Sequence, residues 1–84
     1  MNNKQNFVKK LIYSSKHRGC KETDIILGDF VDTYIEDLND EELEFYANFI
    51  ELPDNDIYNW VNGREELPAN LKCRVTELLL GMYN

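Results

Sequence analysis

The chain has little of what most enzymes and membrane proteins display: four glycines, two prolines, two cysteines, one histidine and no long apolar run in 84 residues. No hydrophobic stretch approaches the ~20 residues that a membrane-spanning helix needs, and no secretory signal pattern is visible. The glycines stand at positions 19, 28, 63 and 81, too scattered for a dinucleotide fingerprint or a Walker A loop, whose close-set glycines let backbone amides cradle phosphates. His17 is the single histidine, which excludes a His-rich metal site. Cys20 and Cys73 belong to no Cys-x-x-Cys pair and read as two reduced thiols in a reducing compartment, most simply the bacterial cytoplasm. A Cys20–His17 nucleophilic pair would sit on a charged connection with no third group to orient it.

What is present is a soluble-type composition, 43% hydrophobic and 30% charged, in a chain long enough for one modest core. One domain over residues 1–84 is expected. The net charge of -7 hides a steep asymmetry. Residues 1–21 hold six basic residues and no acid, whereas residues 22–66 hold fifteen acids against Arg64 alone. Overall acidity opposes nucleic-acid binding, since a phosphate backbone repels a surface of this sign. The cationic start can still meet an acidic partner.

Apolar residues recur at helical spacing and no stretch alternates as a half-buried strand does, so an all-α bundle of about five short helices is expected. The first spans about residues 4–17 with Phe7, Val8, Leu11 and Ile12 inward, ended by Gly19. It reads as a core helix rather than a membrane-surface helix or a transit peptide. The second starts near Thr23 or Asp24 as cap and runs to Leu38 on the stripe Leu27, Phe30, Val31, Tyr34, Ile35. Asn39 with Glu42 forms a capping box, stapled by Leu38 and Leu43, for a third helix that carries Leu43, Tyr46, Ala47 and Ile50 inward. Asp54 caps a fourth that buries Ile57, Trp60 and Val61 and closes at Asn62-Gly63. Pro68 starts a fifth bearing Leu71, Val75, Leu78, Leu79 and Met82.

The most specific local pattern is Arg18-Gly19-Cys20-Lys21-Glu22-Thr23-Asp24, followed by Ile25-Ile26-Leu27 and Gly28-Asp29-Phe30. Arg18 and Glu22 stand one helical turn apart, but Gly19 interrupts the helix between them. The pair therefore brackets a turn and presents a guanidinium fork and a carboxylate outward, a form suited to engaging carboxylates and carbonyls in pairs. A second block, Pro53-Asp54-Asn55-Asp56-Ile57-Tyr58-Asn59-Trp60, follows downstream. Gly28 falls inside a helical pattern, where glycine costs about 1 kcal/mol relative to alanine, and close approach of a neighbouring helix is the ordinary compensation. Asp56 suits either an outer surface or the first turn of a helix, where the dipole favours a carboxylate.

In their order and composition these two blocks resemble the SdhE-type family of small assembly factors, which promote covalent attachment of FAD to the flavoprotein subunit of succinate dehydrogenase. Residues 7 to 65 carry the resemblance. It implies a small helical bundle that is not itself an enzyme and holds no cofactor of its own, FAD being attached to a histidine of the partner. It further implies a partner-binding surface drawn from Arg18, Gly19, Glu22, Asp24, Gly28, Asp29, Asp56 and Tyr58. The expected partner is the succinate dehydrogenase flavoprotein, extending to that of fumarate reductase where present, met by a monomer with no nucleic acid and no stable membrane insertion. The rival reading is a small regulatory binding protein, antitoxin-like or a helical nucleic-acid-associated protein using the basic first helix. The acidic remainder weighs against nucleic acid, and an antitoxin usually carries a disordered, partner-wrapping tail. A cysteine-dependent redox enzyme would need a depressed pKa at Cys20.

Overall fold

A computed structural model of the chain describes residues 3–17 and 21–83. Five α-helices follow one another: α1 (Asn3–Lys16), α2 (Lys21–Tyr34), α3 (Asp40–Phe49), α4 (Asp54–Val61) and α5 (Arg74–Gly81). Single 3-10 turns occupy Ile35–Asp37 and Ala69–Leu71, and among the described residues there is no strand. The expected all-α class holds.

The central element is α2, which packs on α1 along one flank and on α4 along another, while α5 closes against α3 and α4. Its Leu27, Phe30 and Val31 are wholly buried, because apolar side chains three and four residues apart form one stripe. The Phe30 ring meets Tyr46 of α3 at 5.3 Å. Among the described residues of α1, Leu11 and Ser15 are the two that are buried. The Ser15 hydroxyl donates to the Leu11 carbonyl at 2.7 Å and lies 2.5 Å from the Tyr46 hydroxyl. With its one proton committed to Leu11, Ser15 accepts from Tyr46.

Several helix boundaries follow local chemistry. At the start of α3 the Asn39 side chain accepts from the Glu42 amide at 2.8 Å and the Glu42 carboxylate accepts from the Asn39 amide at 2.9 Å, the expected capping box, with Leu38 and Leu43 both buried beside it. Gly63 takes φ +82°, and the Arg64 amide returns to the Asn59 carbonyl at 2.9 Å, so α4 closes where expected. Among the described residues, only at Gly63 does the backbone need glycine's freedom to enter the left-handed region.

Other boundaries differ from expectation. The described part of α2 begins at Lys21, not at a Thr23 or Asp24 cap. Thr23 is buried within the first turn, and its hydroxyl has no hydrogen-bond partner among the described residues. The helix also tightens into a 3-10 turn after Tyr34 instead of running on to Leu38. Pro53, not Asp54, occupies the cap of α4, and its carbonyl accepts from the Asp56 and Ile57 amides at 3.1 and 3.2 Å. Pro68 opens a single 3-10 turn, whereas α5 begins six residues later at Arg74. The cause is Thr76, a buried residue whose hydroxyl accepts from the Cys73 amide at 3.0 Å and lies 2.9 Å from the Leu71 carbonyl. Trp60 is half-buried, its ring tilted against Phe49 at 5.9 Å, while Phe49 itself is fully in the core, a position the sequence reading left out. The expected end of α1 at Gly19 lies outside the described residues.

Arg74 Nη1 reaches both oxygens of Glu42, at 2.8 and 2.9 Å, tying the starts of α3 and α5. The Asn39 amide and then the Arg74 guanidinium hold the Glu42 carboxyl below its ordinary value of 4.5. A folded value below the unfolded one favours the ionised folded state. This contribution is complete above about pH 4.5 and is lost as pH falls through the lowered folded value. Glu42→Gln is expected to destabilise the protein most at neutral pH, with the gap to wild type in urea titrations closing as pH drops below 4.5. Ser15→Ala is expected to lower unfolding free energy by about 1–2 kcal/mol, the range for loss of a buried hydrogen bond, checked in the same titrations.

Candidate functional site

The region of interest is the corner where α1 gives way to α2. Arg18, Gly19 and Cys20 lie outside the described residues, so the site is built here from its two sides. On the α1 side, Lys16 ends the helix and His17 stacks on the exposed Tyr13 ring at 4.3 Å. The other side is the first turn of α2, with Glu22 exposed and Asp24 half-buried. Both carboxylates sit in the first turn, where the partial positive charge of the helix end favours them.

Along α2 the exposed positions Glu22, Ile25, Asp29 and Asp32 recur at three- and four-residue steps and so share one outward stripe. The opposite positions form the core. Asp29 carries a tertiary contact: the Tyr83 hydroxyl lies 3.4 Å from its Oδ2 and 3.4 Å from the Ile26 carbonyl. Burial, and then the Asp29 charge, push the Tyr83 phenol above its ordinary value of 10.0. Chain segments far apart in sequence thus meet on this stripe.

Gly28 is buried, and a Cβ placed on it would lie 3.2 Å from Lys16 Cγ. The Lys16 stem crosses it to bring Nζ within 3.0 Å of Asp32, so a side chain of the neighbouring helix supplies the close approach expected at this glycine. Asp56 and Tyr58 stand on α4, each half-buried, and Tyr58 packs against the core. Asp56 lies in the first turn, the position where the helix dipole accounts for it. Neither residue is on the α2 stripe. Of the expected residues, Glu22 and Asp29 are brought together, Asp24 lies alongside on the same turn as Glu22, and Asp56 and Tyr58 belong to a different helix.

Two participants escaped the sequence reading. Ile25 is 54% exposed, and the signal was available, since it falls off the Leu27, Phe30, Val31 stripe. Tyr83 had no comparable signal, because its partner is 54 residues away. Among the described residues, no group of three His, Cys, Asp or Glu is placed to hold a metal ion, and no helix is long and apolar enough to cross a membrane.

A corner between two helices, an acidic stripe and a buried glycine under a lysine stem suit binding through surface shape and charge. Comparison with known proteins is specific. A family model described as flavinator of succinate dehydrogenase matches residues 9–82. The chain belongs to that family. It is 38% identical over 71 residues to the succinate dehydrogenase assembly factor 2, mitochondrial, of Dictyostelium discoideum, covering 84% of this chain and 50% of that one. It is 38% identical over 60 residues to the FAD assembly factor SdhE of Acetobacter pasteurianus, covering 71% and 55%. With the assembly factor 2 of Saccharomyces cerevisiae the identity is 45% over 51 residues, covering 61% and 32%. The chain spans about half the length of the first two of these relatives. No solved structure matches it. Family membership accords with the resemblance carried by the two sequence blocks.

The Lys16 stem over Gly28 is flexible and its ion pair with Asp32 is solvent-exposed, a class of pair worth little. Alanine should therefore displace it cheaply and recover part of the about 1 kcal/mol helix penalty of glycine. Gly28→Ala is expected to raise the denaturation midpoint, whereas Gly28→Leu, too large for a buried site, is expected to lower it. Thermal melts of the two variants check this.

Proposed function

We propose that this chain is a non-catalytic assembly factor that binds the flavoprotein subunit of succinate dehydrogenase and promotes covalent attachment of FAD to it. The observation that carries the proposal is the family match over residues 9–82, which includes the Arg18–Glu22 block. The exposure of Glu22 at the first turn of α2 supports its use as a contact. In this reading the chemistry stays with the partner. The small protein contributes conformation, holding the flavoprotein so that its acceptor histidine and flavin meet in near-attack geometry. Arg18, Gly19 and Glu22 lie at the interface, with Asp24 and Asp29 along the same helix and Asp56 and Tyr58 on α4 as outer contacts.

The chain holds no FAD of its own in this proposal. Its glycines are too dispersed to form a phosphate cradle, so flavin is reached through the partner. The protein acts as a monomer, without nucleic acid, in a reducing compartment, the bacterial cytoplasm. A fumarate reductase flavoprotein, where one is present, is a second client of the same surface.

The test is covalent flavin fluorescence on a denaturing gel of the cognate flavoprotein, produced with wild-type chain, without it, and with Arg18→Ala or Glu22→Ala. The band is expected to require the wild-type chain and to fall on the order of tenfold with either variant, the loss that 1.4 kcal/mol of interface energy gives. Equal bands in every lane would sink the proposal.

A further inference from the structure

We infer that the docking face continues past the helix corner onto a composite surface of Ile25, Asp29 and Tyr83, with Ile25 as its apolar anchor and Tyr83 as the residue that positions Asp29. This rests on the assembly-factor reading above and commits to the same occupant, the flavoprotein subunit, at a recess that is apolar in the middle and cationic at its rim.

A single exposed aliphatic residue needs no explanation on a protein surface. What distinguishes Ile25 is its company. Glu22 precedes it by three residues and Asp29 follows by four, so both carboxylates flank it on one side, with Lys21 on the other. Among the described residues three large hydrophobic side chains are exposed: Tyr13, Ile25 and Tyr83, at 66%, 54% and 39%. Two of the three border Asp29, Ile25 one helical turn before it on α2 and Tyr83 through its hydroxyl. An aliphatic centre with an acidic flank matches a partner surface of opposite pattern, where apolar contact gives affinity and charge gives register.

Tyr83 carries the second part. Its hydroxyl lies within 3.4 Å of Asp29 Oδ2 and of the Ile26 carbonyl, so the end of the chain braces the α2 stripe one turn beyond Ile25.

The experiment measures affinity of the purified flavoprotein subunit for wild-type chain and variants by calorimetry, with circular dichroism melts as a folding check. Ile25→Ser is expected to weaken binding on the order of tenfold, as loss of an interface anchor does, and Ile25→Leu to retain it. Tyr83→Phe is expected to weaken binding about two- to threefold and to have no further effect in an Asp29→Asn background, since residues acting as one unit are not additive. Val8→Ser, on α1 and away from the corner, is expected to bind as wild type. If wild type binds and the Ile25→Ser and Tyr83→Phe variants bind equally well, this surface is wrong while the assembly-factor reading stands. Equal losses from Val8→Ser and Ile25→Ser would indicate general apolar adhesion and overturn it too. A wild-type chain that fails to bind overturns both readings.

Discussion

The hydrogen bond between Ser15 and Tyr46, wholly buried and 31 residues apart in sequence, is the constraint on which the working end of the molecule depends. Helix α1 packs chiefly on α2, with Leu11 and Ser15 its buried residues among those described and Phe7, Val8 and Ile12 partly buried against the core. The Tyr46 hydroxyl reaching Ser15 fixes the last turn of α1 against α3, just before the corner that leads into α2. In a low-dielectric interior a satisfied polar pair of this kind specifies one arrangement, because any shift strands polar groups away from water.

Charge segregation acts in the same direction. The cationic start of the chain lies against the acidic remainder through Lys4 and Asp40 at 3.0 Å and Lys16 and Asp32 at 3.0 Å. Each exposed pair contributes a few tenths of a kcal/mol at most. One of them lays the Lys16 stem over Gly28. The same segregation leaves the outer stripe of α2 acidic and sets the sign of that surface.

The proposed role is one of shape and charge rather than chemistry, which suits a chain with one modest core whose exposed acidic residues line one face of α2. A partner's reacting groups can be brought into alignment by a surface that fits one of the partner's conformations better than the others, because differential affinity is what shifts a conformational equilibrium.

The all-α class, the capping box at Asn39, the turn at Gly63 and the family itself were legible in the sequence, because each is encoded within a few neighbouring residues. The helical period alone identified Leu27, Phe30 and Val31 as core, and the same period holds the signal, left out of the sequence reading, that Ile25 faces outward. Tertiary structure alone decided the rest. The start of α5 depends on the buried Thr76 hydroxyl meeting the Leu71 carbonyl, and the tie from Tyr83 to Asp29 joins residues 54 positions apart. That a side chain lies over Gly28 follows from the path of Lys16 on another helix. Local hydrogen bonding and side-chain periodicity can be read along a chain, whereas which distant groups meet is settled only when the helices pack and bury each other's surfaces.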